Sequence, residues 1–366
     1  MYSEVMQFAP SVYEHAARVI DESPWDVSRD VQWLARGHIE AYRLYQHRPI
    51  VVGIDIYNLE AEAYGATVTR PSGQGIPAIC DHPFSTAREL IDLEPFDPQS
   101  AGRVPLTIEA AGRVAAECPG ADVRVPLSGP FSLAANLVGF ENLLYEVHRT
   151  PDLVARALLA LVTGQVRFCQ EIVRHGLGIA FFESAAAPPL LSPANFRDIE
   201  LPALKAIMAQ TSVLVSHPVP CIMGGDTLPI LDHILATGTG YICCPAETDQ
   251  RGFMEKMKAH PQVFTRINMD PGPITANDYD AIQKEVDRVV ALAQGRTGVC
   301  IGTGCLPFEA DPQMVLKTKE YVLSRDADGG SDTAFTTETQ RTPRQEPSGF
   351  RFHHRGTEDT EVGTKK

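Results

Sequence analysis

Short apolar runs alternate along this chain with longer stretches in which apolar residues recur at helical spacing. Near-continuous apolar runs are typical of strands that are buried on both faces of a parallel sheet. The intervening stretches place apolar residues three or four positions apart, which predicts helices. The seven clearest predicted strands are Ile50–Ile54, Val123–Pro126, Gly178–Phe182, Val219–Met223, Gly240–Cys243, Val263–Ile267 and Gly298–Ile301.

The alternation predicts an α/β fold built as a single (β/α)8 TIM-type barrel. Seven strands are found and an eighth cannot be located, and this number favours a closed barrel over an open sheet. Neither GxGxxG nor GxxxxGK[ST] occurs, so the nucleotide-binding open sheets gain no support. The clearest predicted helices are Glu141–Ile172, Phe196–Gln210, Thr227–Ala236 and Tyr279–Gln294.

The two ends of the chain differ from the barrel pattern. Residues 1–48 contain VQWLARGHIEAYRLYQ, whose spacing predicts an N-terminal helical extension. The barrel is expected over residues 49–322. Residues 323–366 are polar and rich in Gly, Ser and Thr, and such a segment cannot bury enough surface to offset the entropy of ordering. We therefore expect a disordered C-terminal tail.

Composition and charge exclude several classes of protein. The formal net charge of −14 over 366 residues argues against a nucleic-acid partner. No apolar run approaches the ~18 residues that would span a bilayer, so no membrane role is expected. The eight cysteines follow no disulfide pattern, and they predict free thiols in a cytoplasmic protein. An anionic small molecule remains a suitable substrate, because an acidic chain can still form a basic pocket.

The active site of such a barrel lies at the carboxyl ends of its strands, so polar residues after each run are the candidates. Asp55 is either a carboxylate facing the mouth or a residue that positions the next helix, and the pattern leaves both open. The candidate catalytic residues are Asp55, Glu183, Ser184 and Cys305, and the candidate substrate contacts are Ser128, Asn136, Asp226, Asn268 and Thr303.

Three side chains predict a metal site. His217 and Cys221 lie four positions apart, which places them on one face of a strand, and nitrogen and sulfur are ligands that zinc prefers. Pro218 and Pro220 disturb that strand geometry, so a buried thiol beside a loop histidine is the alternative. Cys305 follows Gly302 and Gly304 at the end of a predicted strand, where an accessible thiolate could bind metal or act as a nucleophile.

Five segments in order resemble the uroporphyrinogen decarboxylase superfamily, which includes cobalamin-dependent methyltransferases that act on thiols. The resemblance covers residues 25–322 and implies the barrel fold and, as in many members, a homodimer. The segments are VVGIDIYNLEAEAYGATV, LSGPFSLAANLVGFENLL, FFESAAAPPLLSPANFRDIELPALKAI, CIMGGDTLPIL and GTGCLPFEADPQMVLKTKEYV.

The resemblance implies roles for individual residues on the decarboxylase side. Asp55 matches the aspartate that holds the pyrrole N–H groups, and Ser184 matches a serine near the substrate carboxylates. Asn136 stands where a tyrosine is expected, and Thr303 stands where a histidine is expected. The arginine-rich N-terminal motif is not recognisable, although a substrate with eight carboxylates would need that charge.

On the methyltransferase side the resemblance implies zinc held by a His-x-Cys pair and a later cysteine. Cys305 matches the last ligand, whereas Ile222 and Gly224 stand where the histidine and first cysteine are expected. A zinc set rebuilt nearby would comprise His217, Cys221 and Cys305, with Glu183 as a fourth ligand.

Three functions follow from these matches. In the first, the protein transfers a methyl group to a thiol or similar acceptor, and a partner corrinoid protein docks over the barrel mouth. In the second, it decarboxylates a porphyrinogen or a smaller acid with Asp55. In the third, it binds a small molecule without turnover.

Overall fold

The computed structural model describes residues 7–329 and shows an α/β TIM-like fold. Eight parallel strands form one curled sheet in the order β1-β10-β9-β8-β7-β6-β5-β2, and β3 pairs with β4 in a separate antiparallel hairpin. The strands are β1 (Phe8–Ser11), β2 (Ile50–Val51), β3 (Thr67–Thr69), β4 (Ala78–Asp81), β5 (Val123–Ser128), β6 (Gly178–Phe182), β7 (Pro220–Ile222), β8 (Tyr241–Cys244), β9 (Phe264–Met269) and β10 (Val299–Cys305).

Helices connect the strands and cover the outer face of the sheet. Single turns of 3-10 helix lie at Ala87–Leu90, Ser184–Ala186 and Leu228–Ile230, and a π-helix lies at Phe196–Glu200. The α-helices are α1 (His15–Val19), α2 (Pro24–Val27), α3 (Val31–Tyr45), α4 (Asn58–Ala63), α5 (Val104–Glu117), α6 (Pro130–Val138), α7 (Phe140–Arg149), α8 (Pro151–Arg174), α9 (Pro193–Asn195), α10 (Leu201–Val215), α11 (Leu231–Leu235), α12 (Gln250–Met257), α13 (Gly272–Thr275), α14 (Tyr279–Ala293) and α15 (Pro312–Gly329).

The strand that the sequence pattern could not locate is β1. It pairs in parallel with β10, with Phe8 opposite Ile301, and the backbone N–H of Ser11 donates to Oγ1 of Thr303 at 3.1 Å. This strand has four residues and contains Pro10, so its apolar run is too short to identify from sequence. The segment expected to be a purely helical extension therefore supplies a strand of the barrel before its helices begin.

All seven predicted strands are present, but two predicted helical boundaries differ. The stretch Glu141–Ile172 is divided into α7 and α8 at Pro151, whose ring removes a backbone donor and keeps Thr150 out of the helical region. Helix α15 runs to Gly329, seven residues beyond the expected end of the ordered chain. The remainder of the expected tail lies outside the described residues.

Buried apolar side chains form two clusters. The larger cluster packs the helices against the sheet. The smaller one, called here the inner cluster, draws side chains from both edge strands and from β6 to β10, which can touch only across the concave face of the sheet. Its members are Ala9, Tyr13, Val51, Ile56, Ala180, Phe182, Ile222, Tyr241, Cys243, Phe264 and Cys300.

All eight cysteines fall within the described residues and carry free thiols, as the sequence predicted. Among the helices of residues 7–329, none combines the length and the apolar character needed to cross a bilayer.

Candidate active site at the mouth of the barrel

Two polar side chains of β9 belong to the concave face of the sheet. Because alternate residues of a strand face the same side, Arg266 and Asn268 share the face of Phe264, a member of the inner cluster. Arg266 is 5% exposed and Asn268 is 7% exposed. Gly302 of β10 leaves room for the arginine, since a Cβ there would lie 2.5 Å from Cδ of Arg266.

The guanidinium of Arg266 is surrounded by neutral groups. Its nearest ionisable neighbours are Cys243, Tyr241, Tyr13 and Cys300. Burial raises the pKa of the Cys243 thiol although Arg266 opposes the shift, so the thiol stays protonated at neutral pH. Over residues 7–329 no carboxylate forms an ion pair with Arg266, and its Nε is buried without an acceptor.

Cys305 lies at the carboxyl end of β10, where solvent reaches it. Burial by the surrounding protein atoms, together with Glu14, raises the pKa of the thiol to about 12, although Arg266 opposes the shift. The side chain is therefore a neutral thiol at physiological pH, and it can act as a nucleophile only when a nearby group takes its proton.

Glu14 supplies a carboxyl group close to Cys305. It follows β1 and is 6% exposed. Burial, together with Glu309, raises its pKa to about 7 against the lowering effect of a hydrogen bond from its own backbone N–H. A carboxyl with this pKa can accept and return a proton at neutral pH. Sequence reasoning missed it because β1 had not been located, although the rule of polar residues after strands would have selected it.

Ser184 contacts a second residue that the sequence analysis did not select, Tyr57. The Tyr57 hydroxyl donates to Oγ of Ser184 at 2.8 Å, and Oγ also accepts the backbone N–H of Gly224 at 2.9 Å. Burial raises the pKa of Tyr57, so the phenol remains protonated. Two predicted substrate contacts instead hold the Tyr57 carbonyl: Asn136 donates to it at 2.7 Å and Ser128 at 3.4 Å.

Asp55 is fully engaged by the protein. Its two carboxylate oxygens accept from Nη1 and Nη2 of Arg103 at 2.8 and 2.7 Å, and Asn58 donates to it at 3.0 Å. It shares a small void with Leu34 of α3, Thr107 of α5 and Ile56 of the inner cluster. The structure therefore places Asp55 where Arg103 and Asn58 already occupy its carboxylate oxygens.

Glu183 occupies the N-terminus of α6. Its carboxylate accepts the backbone N–H groups of Phe131 and Ser132 at 3.1 and 2.9 Å and the Ser132 hydroxyl at 2.6 Å. It is completely buried, and burial raises its pKa to about 7 against these hydrogen bonds. A Cβ at Gly129 would lie 1.8 Å from Oε2 of Glu183, so this position has to be glycine for the contact to form.

The remaining candidates serve the framework. The Thr303 hydroxyl accepts the N–H of Ser11 and so ties β10 to β1. Asp226 accepts from the Thr248 hydroxyl at 2.8 Å and links the loops that follow β7 and β8. Asn268 alone among the predicted substrate contacts has a buried side-chain oxygen without a donor.

The structure does not bring together the three side chains predicted to bind zinc. His217 precedes β7, at the amino end of the sheet, where it is exposed and pairs with the Pro218 carbonyl at 3.0 Å. Cys221 is buried within β7, and Cys305 lies at the opposite, carboxyl end of its strand. Across residues 7–329, no group of three His, Cys, Asp or Glu side chains is arranged to hold a metal ion.

Comparisons with known proteins agree with this architecture. The model of the uroporphyrinogen decarboxylase (URO-D) family matches residues 5–322, and the chain therefore belongs to that family. No curated protein matches the sequence. A methyltransferase from Methanosarcina mazei has a similar fold, with a TM-score of 0.75 and 16% identity over 90% of this chain and 95% of that one. A B12-independent methionine synthase from Shewanella sp. W3-18-1, solved in complex with selenomethionine, is similar at a TM-score of 0.51 and 10% identity, over 82% and 88% of the two chains.

Proposed function

We propose that the protein is a methyltransferase of the uroporphyrinogen decarboxylase superfamily that passes a methyl group to a small thiol at the barrel mouth. The donor in this proposal is a corrinoid carried by a partner protein. The observation that carries the proposal is the two-point ion pair between Asp55 and Arg103, because it occupies the carboxylate that porphyrinogen decarboxylation would need. The similarity of fold to a methyltransferase supports the same choice. The similarity to a B12-independent methionine synthase supports methyl transfer but not the corrinoid donor.

The charges near the mouth also disfavour a porphyrinogen. A substrate with eight carboxylates requires several cations around it, because burying unpaired carboxylates is costly. Arg103 is already paired with Asp55 and Glu62, and Arg29 also pairs with Glu62. Arg266 offers a single positive charge on the inner face, which suits a small acceptor.

The described groups support activation of a thiol without the predicted zinc set. Glu14, with a pKa of about 7, would take the proton of the acceptor thiol. The resulting thiolate would attack the methyl carbon, and the bond from that carbon to the donor would break with its electron pair remaining on the donor.

The test is an assay with methylcobalamin and a panel of small thiols, following loss of the methyl donor by absorbance and the methyl thioether by mass spectrometry. We expect turnover with at least one thiol and a ~10²-fold or greater loss of kcat in Glu14→Gln, the effect typical of removing a general base. Glu255→Gln on α12, where the side chain is 69% exposed, is the matched control. If uroporphyrinogen instead releases CO2 and Asp55→Asn abolishes this without lowering Tm, the proposal is overturned.

Decarboxylation of a smaller acid is the second candidate, because Arg266 could hold one carboxylate in a closed, weakly solvated interior. CO2 release from small dicarboxylic acids, measured on the same preparation, distinguishes it from methyl transfer. Binding of such an acid with neither product formed would leave the third reading, a barrel without turnover.

A further inference from the structure

We infer that Arg266, Asn268 and Tyr241 form an anion subsite on the concave face of the sheet, and that this subsite takes the carboxylate of a small substrate. The inference rests on the proposed function only in placing the substrate at the barrel mouth. It names the substrate class, which the family relationship does not provide.

The three residues share one face of neighbouring strands. Arg266 lies opposite Cys243 in the register of β9 and β8, and Tyr241 lies opposite Phe264, with the two rings stacked at 5.3 Å. Asn268 follows Arg266 by two residues on β9, which is roughly 6.6 Å along the strand on the same face. Arg266 therefore lies between Tyr241 on one side and Asn268 on the other, and a small molecule bound to Arg266 has a neighbouring polar side chain in each direction along the face.

The charge of Arg266 has no counterpart within the fold. Arg103 pairs with Asp55 and Glu62, and half-buried Arg296, whose Nε also lacks a partner, donates to the carbonyls of Met257, His260 and Val263. An unpaired buried charge costs several kcal/mol, on the order of the whole stability of a domain. An anion that enters from outside would remove this cost.

Each of the three side chains also has a buried polar atom without a protein partner. These atoms are Nε of Arg266, Oδ1 of Asn268 and the hydroxyl of Tyr241. All three residues are more than nine-tenths buried. Buried polar atoms in native proteins are nearly always paired, so three unpaired atoms on one face indicate a missing ligand. A guanidinium N–H and a phenol O–H both donate, which is what a carboxylate requires.

The chemistry favours a carboxylate over a phosphate. A carboxylate carries one negative charge, which a single guanidinium neutralises, and the two groups match in a two-point geometry. A phosphate carries between one and two charges at neutral pH, so part of its charge would stay buried without a cation. Oδ1 of Asn268 can accept from a hydroxyl or thiol on the same substrate.

The experiment measures binding of 3-mercaptopropionate, lactate and inorganic phosphate to the full chain by calorimetry, and the change in Tm that each causes at constant ionic strength. We expect the carboxylates to bind and to raise Tm, and phosphate to bind more weakly. In Arg266→Gln the Kd should rise about ten- to hundredfold, the equivalent of one lost charge-assisted contact. Arg113→Gln, at an exposed arginine of α5, is the matched control and should bind as the parent does.

A second variant tests the subsite if Arg266→Gln does not fold. Asn268→Asp would place a carboxylate next to Arg266 within the protein itself, so its Tm without ligand should exceed that of the parent, and added carboxylates should no longer raise it. Equal carboxylate binding by the parent and Arg266→Gln would overturn the subsite, as would tighter binding of phosphate than of either acid. Carboxylate binding without methyl transfer would keep the subsite and reject the proposed function.

Discussion

The carboxylate of Asp55 and the guanidinium of Arg103 face each other through two hydrogen bonds, at 2.8 and 2.7 Å, between β2 and α5. Asp55 is 3% exposed at its side chain and Arg103 is 10% exposed. A buried pair of this kind contributes most visibly when one partner is removed, because the other is left as an isolated charge. The pair therefore stabilises the contact between the segment that follows β2 and the start of α5.

We predict that Asp55→Ala lowers the free energy of unfolding by at most about 3–5 kcal/mol, because the buried Arg103 then keeps only Glu62 as a charged partner. Urea unfolding at neutral pH measures this loss. The double variant Asp55→Ala with Arg103→Leu should recover part of the stability, because the buried arginine is gone and Glu62 still pairs with Arg29. A single variant with unchanged stability and no activity would mean instead that Asp55 acts on substrate.

Gly129, which leaves space for the Glu183 carboxylate, gives a second prediction. Gly129→Ala should lower the free energy of unfolding by about 1–3 kcal/mol, because its methyl group would displace the carboxylate and leave buried N–H donors of α6 without an acceptor. The control is Gly112→Ala in α5, where no atom lies within 4 Å of the added Cβ. That change should instead add about 0.5–1 kcal/mol through helix propensity. Thermal and urea unfolding of the two variants would show opposite signs.

Three buried histidines predict a loss of stability in acid. Burial lowers the pKa of His15 and His38 to about 4 and that of His47 to about 3. Unfolded histidines bind protons below about pH 6.5 while the folded ones do not, so stability falls as pH decreases from 6.5 towards 4. Urea midpoints at pH 7.5, 5.5 and 4.5 would measure this. His47→Gln should flatten the slope, whereas His217→Gln, at an exposed histidine, should leave it unchanged.

For Glu60 the expected dependence of folding stability on pH has the opposite sign: stability falls as the pH rises. Burial raises its pKa to about 8, although the N–H of Ser128 and the amide of Gln165 donate to it and oppose the shift. Because the folded state holds this proton up to a higher pH than the unfolded state, its contribution is complete below about pH 4.5 and is lost as pH rises through 8. Glu60→Gln resembles the protonated form, so it should match the parent near pH 4.5 and be the more stable protein at pH 9. Equal loss in both proteins between these pH values would contradict the assignment.

Much of the fold could be predicted from the sequence because the strands of a parallel barrel carry their own pattern. The apolar runs Ile50–Ile54 and Val263–Ile267 can be identified from their own residues, without knowing which strands they pair with. The strand Phe8–Ser11 lacks such a run, and its pairing with β10 depends on residues some 290 positions away. A local pattern in the sequence therefore cannot show that β1 pairs with β10.

The candidate site was less predictable because a position in sequence does not say what a side chain meets. Asp55 follows its strand as expected, but its partner Arg103 lies 48 residues later in the chain and occupies its carboxylate. Arg266 did have a sequence signature: a charged residue inside an apolar run, two positions before Asn268. A charged residue inside a buried strand faces either the concave side of the sheet or the apolar helices that cover the other side. Since the second is unfavourable, the sequence alone could have placed Arg266 on the concave side.

The pairing of β1 with β10 also has a consequence for synthesis. The ribosome makes Ser11 and Glu14 long before Thr303 and Cys305, yet β1 and β10 pair with each other. The mouth of the barrel can therefore be assembled only when β10 has emerged. A nascent chain that has reached β9 already contains Arg266 and Asn268, but β1 has no strand beside it until β10 follows, so truncated products should be inactive however well their helices form.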